Sequence, residues 1–401
     1  LTTSCYSCHS DQRRLSWFDE IVPAYWLVRH DVLTARSHLD FSAIGAQPAA
    51  VQKATLFEAV NMIRLGAMPP PQFLMLHPES KVSAQDIEIL TSYLAPWSST
   101  PSAGADGDHG HDAASVSSAI VQPEFNGLPL DEDFRNWKPV STTDRGDNNT
   151  FRIIVANDLA FQAVRSGRLS PWPNGARLAK IAWQQERGPD GLIHPGKFVQ
   201  VELMVKDSAL YQTTDGWGWG RWRGLDLKPY GHDAHFVAEC TGCHMPVRGN
   251  DYVYTLPMTE AQVSGNEIVN SRAAALPSNL PYQPLGWGAI TMYVDPRSHS
   301  TTMLYGNDAA MSAIHAGIPA RVPAYPAGAV LALVTWKQRD DPHWFGARLP
   351  DLPQSVEFVQ VGNENNYQRF AGGSPVEETV SASTSAERAG FILNLAPAQL
   401  P

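Results

Sequence analysis

Apolar residues recur at helical spacing through the first hundred positions and at strand spacing after them. Between Val51 and Arg64 there is no Gly or Pro, and Leu56, Val60 and Ile63 fall on one helical face. Ser83-Ala84-Gln85-Asp86 has the form of a capping box, with Ile87, Leu90 and Leu94 following on one face. The pattern predicts two helices with the extended stretch Gly66-Ala67-Met68-Pro69-Pro70-Pro71 between them. Residues 99–119 lose all periodicity and are rich in Ser, Ala, Gly and Asp, which reads as a flexible linker. From residue 120 the texture is of short strands, many turns and many tryptophans. There, alternation places Ala176, Leu178, Lys180 and Ala182 on one strand face.

The strand-rich part repeats weakly. Asn157-Asp158, Ala160, Ala163 and Gly167 recur as Asn307-Asp308, Ala310, Ala313 and Gly317. Trp172-Pro173-Asn174-Gly175 recurs as Tyr325-Pro326-Ala327-Gly328, and Trp183 as Trp336. Phe198 to Val201 matches Phe358 to Val361. On this reading the chain has four parts: a helical domain over 1–98, the linker over 99–119, and strand-rich domains over 120–260 and 261–401. The class is α+β, a helical domain followed by two antiparallel-sheet domains. In the second copy the face equivalent to that of Lys180 is Ala329, Leu331, Leu333 and Thr335, so a lysine stands where the copy has leucine. An ammonium on an apolar face costs several kcal/mol unless paired, so Lys180 needs a reason.

Composition narrows the class. With 401 residues, 43% of them hydrophobic and 12 Trp, the chain can build two or three true cores. The formal charge of −10 argues against nucleic acid and anionic membrane surfaces, and it suits a basic docking partner. No apolar run is long enough to span a bilayer.

The chemistry is concentrated in four cysteines. Cys5-Tyr6-Ser7-Cys8-His9 and Cys240-Thr241-Gly242-Cys243-His244 both read C-x-x-C-H, the attachment pattern of a c-type haem. Two thiols three residues apart reach both vinyl groups of one porphyrin, and the next residue places an imidazole under the iron. These are the only cysteines, so none remains for a disulfide or a catalytic thiol. The rival reading, a zinc or redox C-x-x-C pair, does not account for the histidine after each pair. Two covalently bound haems c are therefore expected, with Cys5, Cys8, Cys240 and Cys243 as attachment sites and His9 and His244 as iron ligands. Because haem c is attached outside the bacterial cytoplasm, the expected location is periplasmic or otherwise extracytoplasmic, after export and loss of a signal segment. His109-Gly110-His111-Asp112 in the linker reads as incidental histidines rather than a metal site.

Residues 1–98 resemble a small bacterial haem-binding domain, through Cys5 to His9, Trp26-Leu27-Val28-Arg29-His30-Asp31 and Met68-Pro69-Pro70. Class I cytochromes c present their sixth ligand on a similar Met-Pro loop. The resemblance implies Met68 as the distal ligand of haem 1, with Met75 and His30 as the other candidates.

Residues of about 122–258 resemble the cytochrome P460 family, which includes the cytochromes c′-beta. The likeness runs through Phe134-Arg135-Asn136-Trp137, Pro173-Asn174-Gly175, Val205-Lys206-Asp207-Ser208 and Gly216-Trp217-Gly218, then Ala238 to His244 and Asp251 to Thr255. Residues of about 280–401 read as a degenerate haemless copy. The family implies a curved antiparallel sheet with the haem against it, and a sixth position that is often vacant. In P460 proteins a lysine at the place of Lys180 bonds to a meso carbon of the porphyrin and suits the site to oxidising hydroxylamine. In c′-beta members a comparable pocket binds nitric oxide without that bond. Lys180 is thus the candidate catalytic residue, and its alternatives are snorkelling to solvent or pairing with a propionate. A carboxylate or water would remove protons there; Glu202 and Asp207 lie on nearby strand positions but read more readily as ordinary surface charges, and His232 and His235 read as surface or propionate contacts.

Together these readings make the chain a dihaem electron-transfer protein. Haem 2 would oxidise hydroxylamine or a related nitrogen compound and pass electrons through haem 1 to a small redox protein or a quinol-chain acceptor. The alternatives are a non-enzymatic carrier, a subunit of a larger cytochrome assembly, or a nitric-oxide binder.

Overall fold

The computed structural model describes residues 2–12, 21–22, 24–98, 121–233, 235–255, 257–258, 274–316, 324–371 and 376–401. The linker, with His109, His111 and Asp112, lies outside the described residues. The chain forms two compact units. One gathers the described part of Leu1–His111 with Arg145–Asn149 and Asp340–Ala347, and the other holds the remainder.

The first unit is helical: α1 (Tyr6–His9), α2 (Ala24–His38), α3 (Ala49–Arg64), α4 (Pro71–Leu76) and α5 (Ala84–Ser98). The capping box forms reciprocally. The Ser83 hydroxyl accepts from the Asp86 N–H at 3.1 Å, and the Asp86 carboxylate accepts from the Ser83 N–H at 3.2 Å. Helices α3 and α5 pack through the buried cluster of Phe57, Val60 and Leu94, on which Phe345 also rests. Phe345 stacks on Phe57 with ring centroids 5.1 Å apart, and Asn61 bonds both its N–H and its carbonyl. Gly346 here adopts φ +88°, and a Cβ would meet the Phe57 ring at 2.6 Å, so only glycine fits.

The second unit is built on one antiparallel sheet. Its ring strands are β1 (Lys138–Arg145), β2 (Thr150–Ala156), β3 (Arg177–Arg187), β4 (Ile193–Lys206), β7 (Gly288–Asp295), β8 (Ser300–Gly306), β9 (Val330–Asp340) and β10 (Ala347–Gln360). They neighbour one another in that order, and β10 returns to pair with β1. Two flaps extend it: β5 (Trp217–Arg223) and β6 (Lys228–Pro229) beside β4, and β11 (Asn366–Ala371) and β12 (Val376–Glu378) beside β10. Helices α6 (Asp158–Ser166) and α7 (His235–His244) belong to the first half, α8 (Asp308–Ala316) and α9 (Ala382–Leu393) to the second.

This corrects the expectation of two sheet domains. The halves are joined by the β4–β7 and β1–β10 pairings. They also share one core, in which Ile153, Ile181, Trp183 and Leu203 pack in the same cluster as Met303, Val334, Trp336 and Phe358. Neither half buries that face alone, so one sheet domain results. Each half keeps a smaller cluster on its outer face. Ile154, Leu178, Trp217, Trp219 and Cys240 form one, and Ile290, Leu304, Leu331, Leu333 and Ile392 the other.

The backbone repeat is reproduced bond for bond. Asn157 caps α6 by accepting from the Ala160 N–H, accepts from the Arg177 N–H and donates to the Gly175 carbonyl, all within 3.1 Å. Asn307 does the same with Ala310, Val330 and Gly328. The register of β4 and β10 differs from the sequence match. Gly175 N–H donates to the Lys206 carbonyl and Gly328 N–H to that of Val361, so Lys206 and Val361 are equivalent. Glu202 therefore corresponds to Glu357, and Phe358 to Leu203 rather than to Phe198. Replacing either Asn157 or Asn307 by Ala should cost about 1–2 kcal/mol, and similar amounts in the two halves, as read by urea unfolding.

Candidate haem sites

Both motif histidines are held in the same way. His9 ends the single turn of α1, where its N–H donates to the Cys5 carbonyl, and its ring Nδ1 lies 2.9 Å from the Leu39 carbonyl. His244 ends α7, and its Nδ1 lies 2.7 Å from the Tyr252 carbonyl. A carbonyl only accepts, so in each ring Nδ1 carries the proton and Nε2 keeps its lone pair. That is the orientation and tautomer an iron ligand needs. Burial pushes His244 down to about 4, against the opposing pull of the Tyr252 carbonyl, and the charge of Lys180 lowers it further; the ring is neutral at pH 7. Burial also pushes the Cys240 thiol up to about 12, and all four thiols are free of disulfides. Among the described residues no three His, Cys, Asp or Glu side chains cluster as a metal-ion site.

The sheet face beside α7 is set by register. Ile154, Lys180, Glu202 and Arg221 form one cross-strand row over β2, β3, β4 and β5. Ala156, Leu178, Met204 and Trp219 form the next, and Lys206 with Trp217 the third. The indole of Trp219 lies against the His244 ring with centroids 4.7 Å apart, and the Tyr254 ring meets it edge-on at 5.2 Å. The buried indole N–H groups of Trp172 and Trp219 have no acceptor among the described residues. A buried donor without an acceptor costs about 1–3 kcal/mol, and a haem brings carboxylate acceptors in its propionates. Histidine tautomers, paired thiols and waiting donors all fit a haem at this face.

Lys180 stands where alternation placed it, with Ala176, Leu178 and Ala182 buried on the same face. Its reason is an ion pair with Glu202, directly opposite on β4. The two side chains keep 25% and 17% of their surface. Glu202 also forms an ion pair with Arg221 at 3.0 Å and accepts from the Gln200 amide at 2.6 Å, and Arg221 continues to Glu239 at 3.2 Å. Glu202 is thus no ordinary surface charge: despite the upward pull of burial, Lys180, Arg221 and Arg152 hold its carboxyl down to about 2. Burial pushes Lys180 down to about 8, with Glu202 opposing and the two arginines assisting. In the other half Leu333 is fully buried at the equivalent place, while Glu357 is kept and paired with Arg388.

A pH dependence follows. Lys180 has a folded pKa of about 8, below its unfolded value near 10.5, so between these values the unfolded chain binds more protons. Stability of the sheet domain should therefore rise as pH climbs from about 8 to 10.5, and Lys180→Leu should flatten that slope in pH-resolved urea titrations.

The other candidates fall elsewhere. Asp207 caps the turn after β4, accepting from the Ala209 and Leu210 N–H groups. His232 and His235 are exposed. Met68 sits in the loop after α3, 38% exposed, with its N–H on the Met62 carbonyl, whereas Met75 is 84% exposed. His30 is an exposed residue of α2. Sequence reasoning missed the partners of Glu202, namely Arg221 and Gln200, and a buried Lys206–Asp251 pair at 2.7 Å. The signal for Arg221 was the alternation Trp217, Trp219, Arg221 on one strand face.

Residues 1–96 match the model of a haem-binding domain family, and residues 131–255 match that of the cytochrome P460 family. No curated protein matches the chain. The protein is an N-terminal haem-binding-like domain fused to a cytochrome P460-like sheet domain, and the second match ends before the second half of the sheet.

Proposed function

We propose that this chain is an extracytoplasmic dihaem c-type electron-transfer protein whose second haem site acts on a small nitrogen compound, hydroxylamine being the leading candidate. Cys5, Cys8 and His9 would hold haem 1, with Met68 as its second axial ligand. Cys240, Cys243 and His244 would hold haem 2 against the sheet face. The second half of the sheet is read as a P460-like copy without a haem. A bound haem supplies one-electron chemistry. The observation that carries the proposal is the charged row of Lys180, Glu202 and Arg221 beside His244, on a face whose counterpart carries Leu333. Glu202 is ionised at neutral pH, and its carboxylate oxygens are placed to accept a hydrogen bond from an N–H or O–H substrate. The ion pairs with Lys180 and Arg221 fix the direction of that carboxylate. Electrons would leave through haem 1 to a small redox protein or a quinol-chain acceptor, a basic partner suiting the charge of −10. No described helix is long and apolar enough to cross a membrane.

The Lys180–Glu202 ion pair also favours a second reading. A lysine whose charge is already answered has no need of a bond to the porphyrin, and the site would then bind nitric oxide or only carry electrons. Optical spectra of the ferric and dithionite-reduced protein, with and without nitric oxide, separate these readings. The proposed function expects one six-coordinate haem and one that takes up nitric oxide; two six-coordinate haems inert to it would leave only a carrier. Met68→Ala should remove the sulfur-to-iron charge-transfer band of haem 1 and lower its potential. An unchanged band would assign the ligand to Met75 or His30.

A further inference from the structure

The turn after α7 is held by more than its own backbone. Asp251 and Tyr252 are consecutive non-glycine residues in the left-handed region, at φ 47° and 65°. Side chains rarely adopt that backbone, so the surroundings must impose the conformation. They do so through a buried lysine. Lys206, 5% exposed, donates from Nζ to Asp251 Oδ1 at 2.7 Å and to the Asp215 carbonyl at 3.1 Å. The Asp251 carboxylate, on a residue 9% exposed, also accepts from the Trp172 N–H at 2.8 Å and the Trp217 indole at 3.2 Å. The Tyr252 hydroxyl donates to the Asp215 carboxylate, closing the ring of contacts. Gly216 makes room for it: its φ is +86°, and a Cβ there would press on Ser208 Cα at 3.2 Å and on Lys206 Cε at 3.4 Å.

We infer that Lys206 and Asp251 form a buried clamp that positions the Tyr252 carbonyl on His244 Nδ1 and thereby sets the donor strength of that imidazole. The inference rests on the reading of His244 as the ligand of haem 2. Only the half with the C-x-x-C-H motif has the clamp, since the equivalent of Lys206 in the other half is Val361. A firm Nδ1–H···O=C bond makes an imidazole a stronger donor and favours the oxidised metal. Lys206 and Asp251 are positioning residues, not catalytic ones. The His9 carbonyl partner, Leu39, follows directly after α2 and has no left-handed φ, so haem 1 serves as the internal control.

The test is spectroelectrochemical titration of the full-length haem-loaded protein and its variants, with the iron–histidine stretch of the reduced form as a second readout where haem 2 is five-coordinate. The charge-neutral double variant Lys206→Met/Asp251→Asn should raise the potential of haem 2 and lower its iron–histidine frequency, with haem 1 unmoved. A purely electrostatic pair would instead give opposite shifts in the two single variants and none in the double. Asp251→Glu, which keeps the charge and displaces the carboxylate, should also shift haem 2 alone and serves if the double variant does not fold. A double variant or Asp251→Glu protein with wild-type haem 2 properties, or equal shifts at both haems, overturns the clamp. A wild-type Cys240–His244 peptide without haem would instead overturn the underlying reading, and the clamp with it.

Discussion

Glu202→Gln is expected to destabilise the sheet domain by about 3 kcal/mol, whereas Lys180→Leu at neutral pH should cost nothing or stabilise it. The difference lies in the charge count around one carboxylate. Lys180, Arg221 and Arg152 all act on Glu202, and Arg221 also contacts the carboxylate of Glu239. Removing the glutamate takes away the carboxylate that answers the partly buried Lys180, the costly way to break such a pair. Removing one cation leaves Glu202 with Arg221, much as Glu357 is left with Arg388 and a leucine at 333. Urea unfolding followed by tryptophan fluorescence reads both variants. Equal losses in the two would show that Lys180 and Glu202 act as an isolated pair, without the arginines.

Lys180→Leu should have its largest effect on chemistry. If the lysine is bonded to the porphyrin, the reduced wild-type protein shows a second, strongly red-shifted Soret feature that survives denaturation. The tryptic haem peptide holding Cys240 to His244 then carries the Lys180 peptide as well. The leucine variant should return haem 2 to an ordinary c-type spectrum and lose hydroxylamine oxidation to background, while nitric oxide still binds. Finding only two thioether links in the wild type would assign the site to nitric-oxide binding or electron transfer. In that case Glu202→Gln, which removes the charged hydrogen-bond acceptor, remains the variant that reports on any residual oxidation, by about tenfold or more.

The parts of this molecule legible in the sequence are those fixed by local chemistry. The capping box at Ser83 involves residues a few positions apart and forms as read, and the recurring Asn157 and Asn307 take equivalent places in the two halves. Strand alternation placed Lys180 on the right face, because a period of two is a local property. What escaped reading depends on pairing between distant strands. The junctions β4–β7 and β1–β10, which merge two expected sheet domains into one, leave no mark on either strand's own pattern. Glu202 looked like a surface charge because its partners come from β3 and β5, and the register shifts between Ala182 and Gln185 separate its pairing with β3 from the hairpin turn that would have located it. The recurring Phe-Val-Gln-Val string misled for a related reason: the hydrogen bonds align Lys206 with Val361, an odd displacement from that match, and an odd displacement exchanges the two faces. Lys206 and Asp251 lie far apart in the chain, and neither signals the other in sequence.

The central claim is that this chain carries one covalent haem at each C-x-x-C-H turn. Peptide mass spectrometry of the protein matured in a host that attaches haem c tests it most directly. The account predicts that the peptides holding Cys5 to His9 and Cys240 to His244 each carry one haem through two thioether bonds, with no thiol left to alkylate. Alkylatable Cys240 and Cys243 in protein whose Cys5 and Cys8 are haem-linked would contradict it at the P460-like site, and four alkylatable thiols would contradict it altogether.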